Sequence, residues 1–299
     1  MAKVDFWWDG LEPQRAEGFD ALLAAVVKRR PVHSPPVIAV VCNAKRFRGS
    51  ALHKVARVTG LLQTEDFSDL PDERTGTPGV ALLRWSPFDR NPIPGHLRQR
   101  IPRGVRVLND TDLNTDKSNV DAHFRSVAGY GASIESASES GFMVAKSNIN
   151  GRHDGRVVQF PSEREDPHVV YQRLIDNSLG DYVFDIRIPF VLGQPVLAYV
   201  KFRDRWRRFQ NANADVRLVT PADVLSDDEL AICQNFCRSI GLEYGELDIL
   251  RDGPDGRIYV IDANNTPAGP PNALSPSDRL TAMRLIAIAF RRNIFNLPC

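Results

Sequence analysis

Two textures of hydrophobic patterning divide the chain. Continuous apolar runs at Val37–Cys42, Val80–Trp85 and Val105–Leu108 alternate with helical spacing over Ser50–Leu62. Runs that are apolar at successive positions suit strands buried on both faces, so residues 35–112 predict a small α/β unit. Before it, residues 1–34 read as an extension with one short helix around Phe19–Lys28. A helix is predicted over Thr115–Ala128, closed by Gly129 and Gly131. Beyond it the texture becomes antiparallel. Short strands follow closely at Phe142–Lys146, Val157–Phe160, Val169–Ile175, Tyr182–Leu192 and Pro195–Arg203, the last two joined through Gly193-Gln194. Ser226-Asp-Asp-Glu229 has the form of a capping box. It opens a helix whose apolar face is Leu230, Ile232, Cys233, Phe236, Cys237 and Ile240, stopped by Gly241. Strands at Tyr244–Leu250 and Arg257–Ala263 and a final helix over Ser277–Arg291 complete the reading.

Composition narrows the class. A chain of 299 residues, 42% hydrophobic and 25% charged, has room for one large or two smaller domains with a sizeable core. A formal charge of +1 gives no overall field toward nucleic acid or membrane, so any basic site must be local. The apolar stretch Ala21–Val27 is far shorter than the roughly 20 residues of a membrane span. Acidic residues precede it and Lys28-Arg29-Arg30 follows, the reverse of a signal peptide, so a cytoplasmic location is expected. Of the four cysteines, Cys42, Cys233, Cys237 and Cys299, the helix neighbours Cys233 and Cys237 have no histidine near them in sequence, and the plain reading is buried thiols in a reducing compartment.

The chemistry concentrates on one hairpin, Glu246-Leu-Asp248-Ile-Leu250 to Arg257-Ile-Tyr-Val-Ile-Asp262-Ala-Asn264, turned by Asp252-Gly-Pro-Asp-Gly256. Pairing Arg251 with Arg257 sets Asp248 opposite Val260 and Glu246 opposite Asp262. Alternation then puts Asp248, Asp262 and Asn264 on one face and Leu247, Ile249, Tyr259, Ile261 and Ala263 on the other. Carboxylates so close repel unless a cation lies between them, and two carboxylates with an amide oxygen suit Mg²⁺. A solvated polar edge is the plainer alternative. Upstream, Arg187 sits mid-strand among apolar residues and needs an anionic partner, which Asp185 or a substrate could supply. Lys201, Arg203, Arg205 and Arg207 share a face if their strand continues, a row able to bind phosphates, with Trp206 and Phe209 for stacking. His123, His153 and His168 have no Ser or Cys partner at a recognisable spacing, so a hydrolytic triad has no support.

At these positions the chain resembles the ATP-grasp superfamily, the group of glutathione synthetase and D-alanine–D-alanine ligase. Its last metal-binding strand reads Glu-x-Asn-x-x-Pro, here Asp262-Ala-Asn264-Asn-Thr-Pro267, with Asp for Glu. Asp248 matches the earlier metal carboxylate. Lys117 and Lys146 match two lysines that contact ATP phosphates, with Gly151 in the loop that closes over them. Val169-Val-Tyr-Gln172-Arg173-Leu174-Ile175 is similar to the adenine-holding strand, although Arg173 replaces the common Glu; Asp185-Ile-Arg187 is similar to the Asp-x-Arg strand. The resemblance covers roughly residues 105–290. It implies an α+β and α/β fold: a short N-terminal lobe, residues 1–112, and an ATP-grasp domain, residues 113–299. That domain would divide into a small subdomain (113–178) and a metal-binding subdomain (179–299), both built on antiparallel sheets. It implies ATP and Mg²⁺ as cofactors, metal ligands Asp248, Asp262 and Asn264, nucleotide contacts from Lys117, Lys146, Gly151, Gln172, Arg173 and Leu174, and catalytic roles for Arg187, Lys201 and Arg203. The implied activity is a carboxylate–amine ligase acting on small molecules through an acyl phosphate. The alternatives are a kinase acting on a hydroxyl, with Glu246 or Asp185 as base, and a nucleotide- or nucleic-acid-binding module through residues 201–208. Nucleic acid and membrane are not expected partners; a homodimer is compatible with the resemblance.

Overall fold

The computed structural model describes residues 37–42, 50–52, 54–55, 62–64, 79–84, 95–103, 105–111, 113–134, 140–149, 152, 154–161, 168–210 and 212–294. The predicted helix Phe19–Lys28, the candidate loop residue Gly151, His153 and Cys299 lie outside the described residues.

Three sheets follow one another along the chain. Strands β1 (Val37–Cys42), β2 (Leu62–Thr64), β3 (Gly79–Arg84) and β4 (Arg106–Leu108) form a parallel sheet in the order β2-β1-β3-β4. Leu62, expected to end a helix, instead opens β2: three residues are too few to print a periodicity on the sequence. Helix α1 (Lys117–Ala128) ends on Gly129 at φ +79°, the left-handed cap its sequence predicts. The second sheet is antiparallel, β6-β5-β7, from β5 (Gly141–Ser147), β6 (Arg156–Phe160) and β7 (Val169–Arg173).

The third sheet carries the main core. Its path is β12-β11-β9-β13-β14, from β9 (Tyr182–Val191), β11 (Ala198–Asp204), β12 (Asp215–Val219), β13 (Tyr244–Arg251) and β14 (Ile258–Asn264). The two-residue strands β8 (Ser178–Leu179) and β10 (Gln194–Pro195) pair with β9. Ile186, Ile188, Val200, Leu247 and Ile249 form a buried face that joins Phe124 of α1 and Phe236 of α2 (Asp227–Ile240) in one core. The capping box is formed: Ser226 Oγ accepts from the Glu229 N–H and the Glu229 carboxylate from the Ser226 N–H. Glu229 also pairs with Arg251, at 2.6 and 2.7 Å, which ties the helix start to the hairpin. Helix α3 (Pro276–Asn293) builds a second cluster with Leu52, Val55, Tyr199, Leu218 and Tyr244.

The hairpin register corrects the expectation. Arg251 pairs with Ile258, not Arg257, and Val260, not Tyr259, lies beside Ile249. Between Ile249↔Val260 and Asp248↔Asp262, Ile261 is an extra residue on β14, a β-bulge. Beyond it Asp248 stands directly opposite Asp262, and Glu246 opposite Asn264. Without the bulge Asp262 would point with Leu247 into the apolar core, because one residue of slip exchanges the faces.

Candidate functional site

One face of the large sheet is a field of charge. Direct pairing puts Lys201 beside Asp185, Tyr199 beside Arg187, Arg187 beside Asp248, and Asp248 beside Asp262, so these side chains share a face with Arg203, Glu246 and Asn264. Three cations, Arg187, Lys201 and Arg203, meet four carboxylates, Asp185, Glu246, Asp248 and Asp262. Arg187 grips Asp248 with a two-pronged bond, Nε at 2.7 Å and Nη2 at 2.6 Å. Lys201 Nζ donates to Asp248 at 2.9 Å and lies 3.6 Å from Asp185, which also pairs with Arg203. The mid-strand arginine that needed an anion thus has Asp248 as its main partner rather than Asp185.

Two carboxylates are left over. Both oxygens of Glu246 and Oδ1 of Asp262 are buried without a hydrogen bond. Burial, then the Asp248 charge, pushes the Asp262 carboxyl up, against Lys117, Lys146 and Arg187. Burial also raises Glu246, to about 7, although Arg187 lies 3.6 Å away. Asp248 goes the other way: burial opposes its charge, but Arg187 and Lys201 hold it well below the usual carboxylate range. Burial works to lower Arg187 too, yet Asp248 keeps it fully charged. Lys201 is lowered because burial outweighs its bond to Asp248.

Two lysines, Lys146 on the small sheet and Lys117 on α1, act on this field. Lys146 and Gln172 share a face of β5 and β7, since Val144 pairs with Gln172 and Lys146 with Val170. Burial first, then Lys117, lowers Lys146 to about 8, against the pull of Asp262, Asp121 and Asp248. Lys117, in the first turn of α1, is buried and donates to the Ile149 carbonyl at 3.0 Å. On the same face of this sheet as Lys146, Phe142 is 68% exposed and Val157 43%. The following loop reaches the large sheet, where a Cβ at Gly155 would meet the Phe209 ring at 2.7 Å.

Other candidates are placed differently. Arg173 is on the opposite face of β7 from Gln172 and is held by Asp252 at 3.0 Å, Asp255 at 3.4 Å and the Tyr259 hydroxyl at 2.5 Å. Its side chain is committed to the hairpin turn. Leu174 follows β7, half-buried. Asn264 Oδ1 accepts from the Thr266 N–H at 2.9 Å. Arg205 and Arg207 leave the strand in a short 3₁₀ turn, with Trp206 75% exposed, so the predicted basic row ends at Arg203. His123 meets Ser239 at 2.7 Å between α1 and α2, a pair that sequence spacing could not show. Tyr199, for which sequence patterns predict no role, has a buried hydroxyl with no hydrogen-bond partner; its place two residues before Lys201 on the same strand face is the signal that marks it.

The residues suit a Mg²⁺ ion only in part by themselves. No group of three or more His, Cys, Asp or Glu side chains among the described residues converges on one point. Mg²⁺ usually takes one or two carboxylates and completes its shell with phosphate and water oxygens. The open Asp262 oxygen, beside Asp248, fits that need.

No family model matches the chain, and no curated protein matches it. Solved structures do. The ATP-grasp ligase PsnB with a phosphomimetic variant of minimal precursor, Mg and ADP is 15% identical over 85% of this chain and 98% of that chain, with a TM-score of 0.53. PsnB with minimal precursor, Mg and ADP is 16% identical over the same shares, with a TM-score of 0.51. D-alanine–D-alanine ligase from Bacillus anthracis with ATP is 14% identical over 88% of this chain and 99% of that one, with a TM-score of 0.50. Identities this low speak to architecture alone: the chain has the ATP-grasp fold.

Proposed function

We propose that the protein is an ATP-dependent carboxylate–amine ligase. The observation that carries the reading is the open Asp262 carboxylate within the electrostatic reach of Lys117 and Lys146. Asp262 would hold Mg²⁺, with Asp248 and Asn264 on the same face, and the ion when bound would neutralise phosphate charge. Lys146 and Lys117 bind phosphate oxygens, and the Phe142–Val157 surface and Leu174 receive the base. Arg203 and Lys201 extend the positive side toward the reacting phosphate, and Arg187, fixed by Asp248, orients the carboxylate that is activated. ATP would give its γ-phosphoryl group to that carboxylate, and an amine would displace phosphate from the acyl phosphate. The likeness to ATP-grasp ligases supports this reading, in which the substrates are small molecules and the reaction is cytoplasmic. Among the described residues no helix is long and apolar enough to cross a membrane.

Purified protein with Mg²⁺-ATP and a panel of carboxylates and amines should release phosphate only with a productive pair, and hydroxylamine should trap the acyl phosphate as a hydroxamate. Phosphate appearing on a hydroxyl product without need of an amine would establish the kinase alternative instead.

Lys146 gives a pH prediction. Below about pH 8 the free protein carries Lys146 as a cation; above it the proton is lost. Bound phosphate stabilises the ammonium, so ATP binding takes up a proton above pH 8. Affinity should be flat at lower pH and fall by up to about tenfold per pH unit as pH rises through 8. Stability moves oppositely. Between about 8 and the ordinary 10.5 the unfolded chain binds more protons, so this group makes the free protein more stable as pH rises. Calorimetric titration of ATP from pH 6.5 to 9.5 measures the first effect and thermal melts the second. Lys146→Met should flatten both; a wild-type ATP affinity unchanged across pH 8 would refute the assignment.

A further inference from the structure

The charged face has two open carboxylates, and the nucleotide explains one. Asp262 lies toward Lys117 and Lys146. Glu246 lies two residues before Asp248 on β13, between Asn264 and Pro189 on the neighbouring strands. Its side chain is 1% exposed, yet neither oxygen accepts a hydrogen bond. A buried carboxylate in that condition is costly and calls for a donor. The Arg187 guanidinium does not meet the need: it stands 3.6 Å away and spends its short bonds on Asp248.

A second orphan lies beside it. The Tyr199 hydroxyl is buried with no hydrogen-bond partner and feels the Glu246 charge. Tyr199 pairs with Arg187, so hydroxyl and carboxylate sit on the same face on either side of that arginine. Lys54 Nζ donates to the Ala268 carbonyl at 2.6 Å, and the Ala51 N–H to Pro267 at 2.9 Å, which clamps the loop after β14 over this end of the sheet. Asp185 and Asp248 are matched by Arg203, Lys201 and Arg187, so the acidic surplus falls on Glu246.

We infer that Glu246 and Tyr199 form the subsite for a primary ammonium group, and that the amine substrate is therefore recognised as a cation at the end of the cleft away from the nucleotide. This rests on the ligase reading and supplies its acceptor side. The ammonium offers three donors, enough for the Glu246 carboxylate and the Tyr199 oxygen together. An amine carrying no positive charge could still hydrogen-bond here but would not neutralise the buried Glu246 carboxylate.

The test uses the full chain loaded with Mg²⁺-ADP and three probes, glycinamide, ethanolamine and cadaverine, with the uncharged glycolamide as control. Calorimetry of Mg²⁺-ATP alone comes first: failure of ATP to bind would overturn the ligase reading itself. With ATP binding secured, at least one amine should bind saturably and glycolamide should not. Glu246→Gln should weaken that amine at least tenfold and Tyr199→Phe several-fold, with Mg²⁺-ATP affinity unchanged. The melting temperature of free Glu246→Gln should equal or exceed that of wild type, because the variant removes a buried carboxylate charge that no hydrogen bond compensates; a residue kept for structure would melt lower. No binding of any amine, equal binding to Glu246→Gln and wild type, or a raised Mg²⁺ requirement in Glu246→Gln, which would make Glu246 a metal ligand, each overturns the inference.

Discussion

Replacing Asp262 by alanine is expected to lower Mg²⁺-ATP-dependent turnover by about 10²–10³-fold, the scale on which removing a charge-stabilising group acts, while the protein keeps its fold and its melting temperature. The two halves of this expectation have one cause. Asp262 Oδ1 is buried and unbonded, and the carboxyl is pushed toward its neutral form by burial and by Asp248. A group in that state contributes nothing to the free protein's hydrogen bonding, so deleting it is cheap for stability. Its value arises when a cation and phosphates arrive, because then it is a hard oxygen ligand already desolvated and aimed. Asp262→Asn is the sharper variant, since it keeps the volume and loses the charge. Turnover measured against Mg²⁺ concentration, with a thermal melt of the free protein, checks both. Wild-type turnover in either variant would sink the metal assignment. A melt several degrees lower for Asp262→Asn would make Asp262 a structural residue.

How much of this site could be read from the sequence depends on which distance along the chain sets each contact. The capping box, the Gly129 and Gly241 stops and the antiparallel strands are local, and the sequence patterns name them. The hairpin was legible for a less secure reason. The expected register was wrong by one residue at the turn, where Arg251 takes Ile258, and the bulge at Ile261 adds one residue more. Two single slips restore the parity of faces, so Asp248, Asp262 and Asn264 do lie together. A bulge has no compositional mark here, and its absence would have hidden Asp262 in the core. Arg173 shows a different limit. The strand pattern locates it on β7, but its partners Asp252 and Asp255 are about eighty residues further on, and nothing local tells which face it takes. The openness of Glu246 was out of reach for the same reason. Which carboxylates on this sheet are satisfied depends on how cations from β9 and β11 are shared out, and that follows from strand order.

That sharing makes Arg187 the residue whose loss the fold should feel most. Arg187→Leu is expected to destabilise the protein by about 3–5 kcal/mol, the usual cost of stripping one partner from a buried ion pair. The reason is the state left behind. Asp248 would keep only Lys201, itself lowered by burial, while Glu246 and Asp262 would lose the one arginine both feel. Three carboxylates would then crowd one face with no strong cation between them, and repulsion adds to desolvation. Pairing the change with Asp248→Leu removes the stranded charge, so the double variant should recover most of the lost stability in urea melts, because an apolar pair of similar volume can replace a buried ion pair at little cost. Function should not return with it. Both residues face the reacting groups in the proposed site, so the double variant should fold, lack Mg²⁺-ATP turnover, and thereby separate what the pair does for the sheet from what it does for the substrate. If Arg187→Leu melts within about 1 kcal/mol of wild type, the charges on this face are compensated by solvent rather than by one another, and the bidentate bond at 2.6–2.7 Å would not be what holds Asp248 ionised.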